Sequence, residues 1–204
     1  MPHKFSWALF LVPCILAGCR KNCATNYRVV NSYFSILPEK NTFKVGDTVY
    51  FLITAPFETV NQRNGEKINI KRTKDIYEFW INAAKVDSIT RPPGGFDGGF
   101  DYMDVSPVAA KRFRIDTQNG MKGNIYVSFA KLSQSFEVKL RVILRKKGVF
   151  MIEHGPTSGY DAGCMLTDFA PALNTVSQNE ELFRAFSFNT NFTLRPTQYF
   201  FKVE

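Results

Sequence analysis

The alternation of apolar and polar positions is the strongest signal along the chain, and its period is two. Phe136-Glu137-Val138-Lys139-Leu140-Arg141-Val142 alternates over its whole length, and Ile143-Leu144-Arg145 completes the run. That pattern belongs to a β-strand with one buried and one wet face, because successive side chains leave a strand on opposite sides. Lys146-Lys147-Gly148 reads as a turn, and Val149-Phe150-Met151-Ile152 returns as a second strand. Val49-Tyr50-Phe51-Leu52-Ile53-Thr54 is continuous and rich in β-branched and aromatic residues, as expected of a strand buried on both faces. Gly46-Asp47 introduces it as a turn pair.

Further strands follow from the same reasoning. Ile68 and Ile70 alternate with polar neighbours. Between Ile76 and Val86, Tyr77, Phe79 and Ile81 form one alternating set, and Ile76, Glu78 and Trp80 form the other. Asn124 to Phe129 and Tyr199-Phe200-Phe201 complete the series. One helix is expected near the end, where Ser177-Gln178-Asn179-Glu180 matches a capping box and Leu182, Phe183 and Phe186 follow at helical spacing. Strands separated by turns, with little helix, predict a β-sandwich.

The N-terminus breaks from this pattern. A short region with one cation, Lys4, precedes an apolar run from Phe5 to Ile15. This is the layout of a secretory signal. The run is too short to cross a hydrocarbon core of about 30 Å as a helix. It ends in Leu16-Ala17-Gly18-Cys19, which resembles the lipobox of bacterial lipoproteins. The resemblance implies cleavage after Gly18 and acylation of the Cys19 sulfur, with residues 19–27 as a tether and residues 28–204 as one domain. Palmitate-type chains then hold the protein to a membrane, each buried CH₂ contributing about 0.8 kcal/mol. Arg20-Lys21 follow the cysteine, whereas lipoproteins exported to the surface of Bacteroidetes usually carry acids there. The expected address is the cell envelope, at the outer membrane facing the periplasm.

Charge and cysteine content sharpen this picture. The signal holds one Lys and no acid, so the remainder keeps nearly all of the formal charge of +8. An exported chain has no nucleic acid to meet, and its cations are dispersed: Lys71-Arg72-Lys74, Lys111-Arg112-Arg114 and Arg145-Lys146-Lys147. Such runs are ordinarily solvated strand faces or turns, the alternative being contact with anionic envelope polymer or lipid. Cys14 leaves with the signal. Cys23 and Cys164 are then either a disulfide, which an oxidising periplasm permits, or two unpaired thiols.

Phe43-Lys44-Val45-Gly46-Asp47-Thr48-Val49 resembles the Gly-Asp-Thr lead-in to an early strand of a sandwich. Leu144-Arg145-Lys146-Lys147-Gly148-Val149-Phe150 resembles the Gly-x-aromatic turn between late strands of immunoglobulin-like domains. With the lipobox and Asn179-Glu180-Glu181-Leu182-Phe183, the chain is similar to a group of uncharacterised Bacteroidetes lipoproteins with such a sandwich. The resemblance implies an all-β, immunoglobulin-like β-sandwich with insertions and one short C-terminal helix. The inter-sheet cysteine pair of immunoglobulins is absent, and the family brings no activity with it.

Candidate chemistry is sparse. Gly94-Gly95-Phe96-Asp97 and Gly98-Gly99-Phe100-Asp101 stand in tandem. Asp97, Asp101 and Asp104 offer oxygen ligands of the kind Ca²⁺ takes, but their spacing is not that of a calcium loop, and a glycine-rich connection is the plainer reading. His154 is the only histidine outside the signal, which excludes a site with two His ligands. Ser158 and Asp161 lie close to it in sequence, but no nucleophile-elbow motif supports a hydrolytic triad. Trp80, the only Trp outside the signal, is expected in the core; the alternative is a sugar-stacking platform. No phosphate-cradling loop is present, and no cofactor is expected. The reading is a non-catalytic envelope module whose partner is an envelope protein or a glycan, with a carbohydrate-binding accessory lipoprotein or a weak hydrolase as alternatives.

Overall fold

The computed structural model describes residues 27–74, 76–86, 98–118, 121–161, 165–173 and 197–204. The signal and Cys19, Cys23, Cys164, Asp97 and the helix expected over 177–186 lie outside the described residues.

Among the described residues the chain forms fifteen strands. The N-terminal part supplies β1 (Tyr27–Leu37), β2 (Thr42–Phe43), β3 (Thr48–Pro56), β4 (Glu58–Val60) and β5 (Lys67–Asn69). The middle supplies β6 (Phe79–Lys85), β7 (Met103–Ala109), β8 (Arg112–Gln118), β9 (Met121–Ser128) and β10 (Ala130–Lys131). The remainder supplies β11 (Ser135–Leu144), β12 (Gly148–His154), β13 (Thr157–Tyr160), β14 (Leu166–Leu173) and β15 (Gln198–Val203). β1 begins at Tyr27, one residue inside the expected tether.

The strands form the two layers of a β-sandwich. One sheet has the order β10-β11-β3-β1-β14-β13, with β7 pairing along the rest of the β11 edge that β10 occupies. The other has the order β2-β15-β12-β6-β9-β8. β4 and β5 form a separate two-stranded ribbon. Pairing is antiparallel except for β1 with β14 and β15 with β2. β9 and β10 are separated by Phe129 alone, so the chain leaves one sheet and joins the other at that residue.

The all-β sandwich matches the pattern read from the sequence, with two local differences. β11 and β12 belong to different sheets, so Arg145-Lys146-Lys147 arches between layers and does not close a hairpin. β3 is buried on one face only: Val49, Phe51, Ile53 and Ala55 point inward, and Tyr50, Leu52 and Thr54 are half-buried on the outside. There the ammonium of Lys139 lies 4.8 Å from the centre of the Tyr50 ring, its stem covering part of the strand. The expected Gly46-Asp47 turn is present. Gly46 has φ of 94°, a conformation that favours glycine, and the Asp47 carboxylate accepts the Lys44 amide at 2.9 Å.

The core is dominated by phenylalanine. Phe34, Phe51, Phe201 and Phe150 form one run of ring contacts, with Phe34–Phe51 at 5.8 Å and Phe150–Phe201 at 5.5 Å. Phe79, Phe129, Phe136, Phe57 and Phe169 form another, with Phe79–Phe129 and Phe57–Phe136 both at 5.1 Å. Most of these pairs are tilted or edge-to-face, geometries that contribute roughly 0.5–1.5 kcal/mol each beyond the area they bury. His154 joins the two runs, 5.9 Å from Phe34 and 6.1 Å from Phe79.

Candidate functional site

The residues singled out from sequence go to different places. His154 ends β12 on its inward face, is 2% exposed, and points into the aromatic core. Its Nδ1 lies 3.3 Å from the Gly155 carbonyl oxygen, and its Nε2 has no hydrogen-bond partner. Asp161 pairs with Arg28 across 3.7 Å, and Ser158 lines a shallow surface groove with Asp168. The Ser158, His154 and Asp161 side chains are therefore not assembled as a hydrolytic set: the imidazole faces rings, and the carboxylate faces a guanidinium.

The two described aspartates of the glycine-rich stretch also serve separate partners. Asp101 sits in a single 3-10 turn, Gly99–Tyr102, and both its carboxylate oxygens face the Lys122 amide at 3.2 and 3.3 Å. Asp104 pairs with Arg145, whose Nε donates to it at 2.6 Å. Among the described residues no group of three His, Cys, Asp or Glu side chains is placed to hold a metal ion.

Trp80 is the residue whose position differs from expectation. It is half-buried, on the outer face of its sheet, because Phe79, Ile81 and Ala83 of β6 take the inward positions. The register sets Trp80 opposite Tyr126 of β9, and Tyr126 opposite Arg114 of β8. On the other side the Gly155 amide donates to the Trp80 carbonyl at 2.8 Å. A Cβ at Gly155 would lie 2.5 Å from the indole, so the missing side chain lets the ring lie close against the sheet. Gly155, Trp80, Tyr126 and Arg114 thus make one row across four strands' width.

Neighbouring groups fix this row. The Arg114 guanidinium stacks over Tyr126, 3.9 Å from the ring centre. Glu78 accepts the Arg114 Nε at 3.2 Å and lies 4.0 Å from Arg112. One step along the strands, Asn82 donates to Asn124 Oδ1 at 3.0 Å and to the Gly123 carbonyl at 3.1 Å. The result is an aromatic strip bordered by amides on one side and a carboxylate–guanidinium pair on the other. Such a surface stacks on flat, weakly polar faces and hydrogen-bonds at their rims.

No protein-family model matches the sequence, and no curated protein matches it. Solved structures of similar outline are distant. The reeler domain of human F-spondin has 5% identity and a TM-score of 0.40, with 87% of this chain and 94% of that chain covered. The cohesin of a type I cohesin–dockerin complex from Clostridium thermocellum has 12% identity and a TM-score of 0.34, covering 87% and 92%. A cohesin module of a family 33 glycoside hydrolase from Clostridium perfringens has 9% identity and a TM-score of 0.33, covering 72% and 99%.

The buried imidazole has a measurable consequence. Burial pushes the His154 pKa down from 6.5 to about 4, while the carbonyls of Gly155 and Ala172 act in the opposite direction. Between those values the unfolded chain binds more protons than the folded one, so stability is full above 6.5 and falls as pH drops toward 4. The gap corresponds to roughly 3 kcal/mol. Urea midpoints measured across that range should fall in the wild type and fall much less in His154→Phe; an equal fall in both would contradict a neutral core histidine.

Proposed function

We propose that this protein is a lipid-anchored, non-catalytic binding module of the bacterial cell envelope, and that its ligand-contacting surface is the Trp80 face. The row of Trp80, Tyr126 and Arg114 carries the reading. Neighbouring groups already hold its side chains in place, and a surface arranged before binding loses less entropy when a ligand arrives. The position of His154 in the core weighs against the hydrolytic alternative, because a general base must reach its substrate proton.

The ligand class that suits this face best is a glycan. The apolar faces of sugar rings stack on an indole, and their hydroxyls match the amides of Asn82 and Asn124 and the charges of Glu78 and Arg114. An envelope protein partner is the second reading. The same aromatic and arginine chemistry serves protein interfaces, where Trp, Tyr and Arg supply most of the binding energy.

Two measurements address the proposal. Immobilised envelope oligosaccharides should retain the full chain, and Trp80→Ala should weaken retention about tenfold or more while the far-ultraviolet spectrum stays unchanged. Retention unaffected by Trp80→Ala would remove this face from the account. For the anchor, cells given labelled palmitate should incorporate it into the wild type and not into Cys19→Ala. Label persisting in Cys19→Ala would contradict lipidation at Cys19.

A further inference from the structure

Among the described residues seven large apolar or aromatic side chains are strongly exposed, and five of them stand at one end of the sandwich: Tyr27, Val60, Tyr77, Leu132 and Tyr160. Single exposed residues of this kind are ordinary, whereas a cluster confined to one end marks a contact surface. Of the other two, Val45 lies at the opposite end, beside Glu204, and Val108 lies on β7.

Strand register gathers the five. β1 begins at Tyr27, which lies opposite Leu166 of β14, and Leu166 lies opposite Tyr160, the last residue of β13. The Tyr77 ring meets the Tyr160 ring edge-on at 6.3 Å. β3 ends and β11 begins at the same end, with Pro56 opposite Ser135, and Leu132 stands in the turn before β11. The β4–β5 ribbon, which carries Val60, folds against the start of β1. There the Gln62 amide donates to the Val29 carbonyl at 2.8 Å, and the Arg63 guanidinium lies 4.6 Å from the centre of the Tyr27 ring.

Cations are interleaved with these side chains. From 58 to 75 the sequence holds Arg63, Lys67, Lys71, Arg72 and Lys74 against Glu58, Glu66 and Asp75, and Lys131 adds a sixth cation. All six cations are exposed. The two described acids of this stretch accept side-chain amides, Glu58 from Asn69 and Glu66 from Asn64. Lys74 pairs with Tyr160 through the backbone, and Lys131 donates to the Lys71 carbonyl at 2.5 Å, so the cations flank the exposed rings. This chemistry suits the boundary of a bilayer. A tyrosine presents an apolar body and a polar tip, and lysine and arginine stems lie along apolar surface while their heads reach anionic headgroups.

The end is also the one tied to the anchor. Cys19 precedes Tyr27 by eight residues, which span at most about 29 Å when fully extended. An acylated Cys19 therefore keeps Tyr27 within that distance of a bilayer.

We propose that this end is a membrane-seating surface: the five exposed side chains settle into the headgroup layer of an anionic bilayer, and the surrounding lysines and arginines pair with its phosphates. The placement rests on the Cys19 anchor proposed above, which supplies the bilayer. Seated this way, the strands stand along the bilayer normal. The Trp80 row, on the outer face of its sheet, then faces along the membrane plane and stays open to a ligand.

The test uses the full chain, isotopically labelled and reconstituted in nanodiscs of phosphatidylcholine and phosphatidylglycerol that carry a gadolinium-chelating headgroup lipid. Relaxation of the Tyr27, Tyr77, Leu132 and Tyr160 amides should be enhanced at least about fivefold over that of Val45 and Lys147. The ratio should fall in discs of phosphatidylcholine alone. It should also fall toward one in the double variant Tyr77→Glu, Leu132→Glu, and persist in Val45→Glu, Val108→Glu. A chain that travels with the discs but shows even enhancement, or enhancement centred on Val45, overturns the seating surface and leaves the anchor standing. So does a ratio unchanged by Tyr77→Glu, Leu132→Glu or by removal of phosphatidylglycerol. A chain that does not travel with the discs overturns the anchor, and the seating surface with it.

Discussion

Phenylalanine rings from both sheets interlock in the core, and the remaining features follow from where those rings end. Phe34, Phe51, Phe150 and Phe201 fill one part of the interlayer space, and Phe79, Phe129, Phe136 and Phe169 fill the other. His154 bridges them as a neutral ring. A charged imidazole at that position would face aromatic surface with Nε2 unpaired, so the packing itself enforces neutrality. The single histidine outside the expected signal is thereby committed to the interior.

Filling the interior this way assigns the exterior. Once Phe79, Ile81 and Ala83 are turned inward, Trp80 and Asn82 must face out. The same parity on β9 and β8 brings Tyr126 and Arg114 into line with Trp80. At the opposite limit of the core, Phe129 and Phe136 stay buried where the chain passes from β9 in one sheet to β10 in the other. Arg28 is a related case. It occupies an inward position of β1, and its charge is met by Thr167, Thr73 and Asp161 at the end of the sandwich, beyond the rings.

How much of this was legible in the sequence depended on whether polarity followed the inside–outside boundary. β11 was legible because Glu137, Lys139 and Arg141 mark its wet face at every second position. β1 went unread because Arg28 and Ser32 point inward, which disguises its alternation. β8 carries a usable signal, since Phe113 and Ile115 alternate with Arg112, Arg114 and Asp116, but its cations equally match a solvated charged run. The outward position of Trp80 was also encoded, since Glu78 shares its alternating set. Apolar neighbours on both sides outweighed that single charge. The crossing at Lys146-Lys147 was beyond reach, because a short turn does not state whether the returning strand joins the same sheet or the facing one.

The central claim is that recognition takes place on the Trp80 face while the core stays closed. The most direct measurement is a titration of isotopically labelled protein with solubilised envelope oligosaccharide, followed by the backbone and indole N–H resonances. Recognition on this face moves the Trp80 indole signal together with the amides around Asn82, Asn124 and Tyr126, and leaves Tyr50 and Lys139 on the opposite sheet in place. Shifts gathered on the Tyr50 and Lys139 surface, or no shift at saturating oligosaccharide, would contradict it.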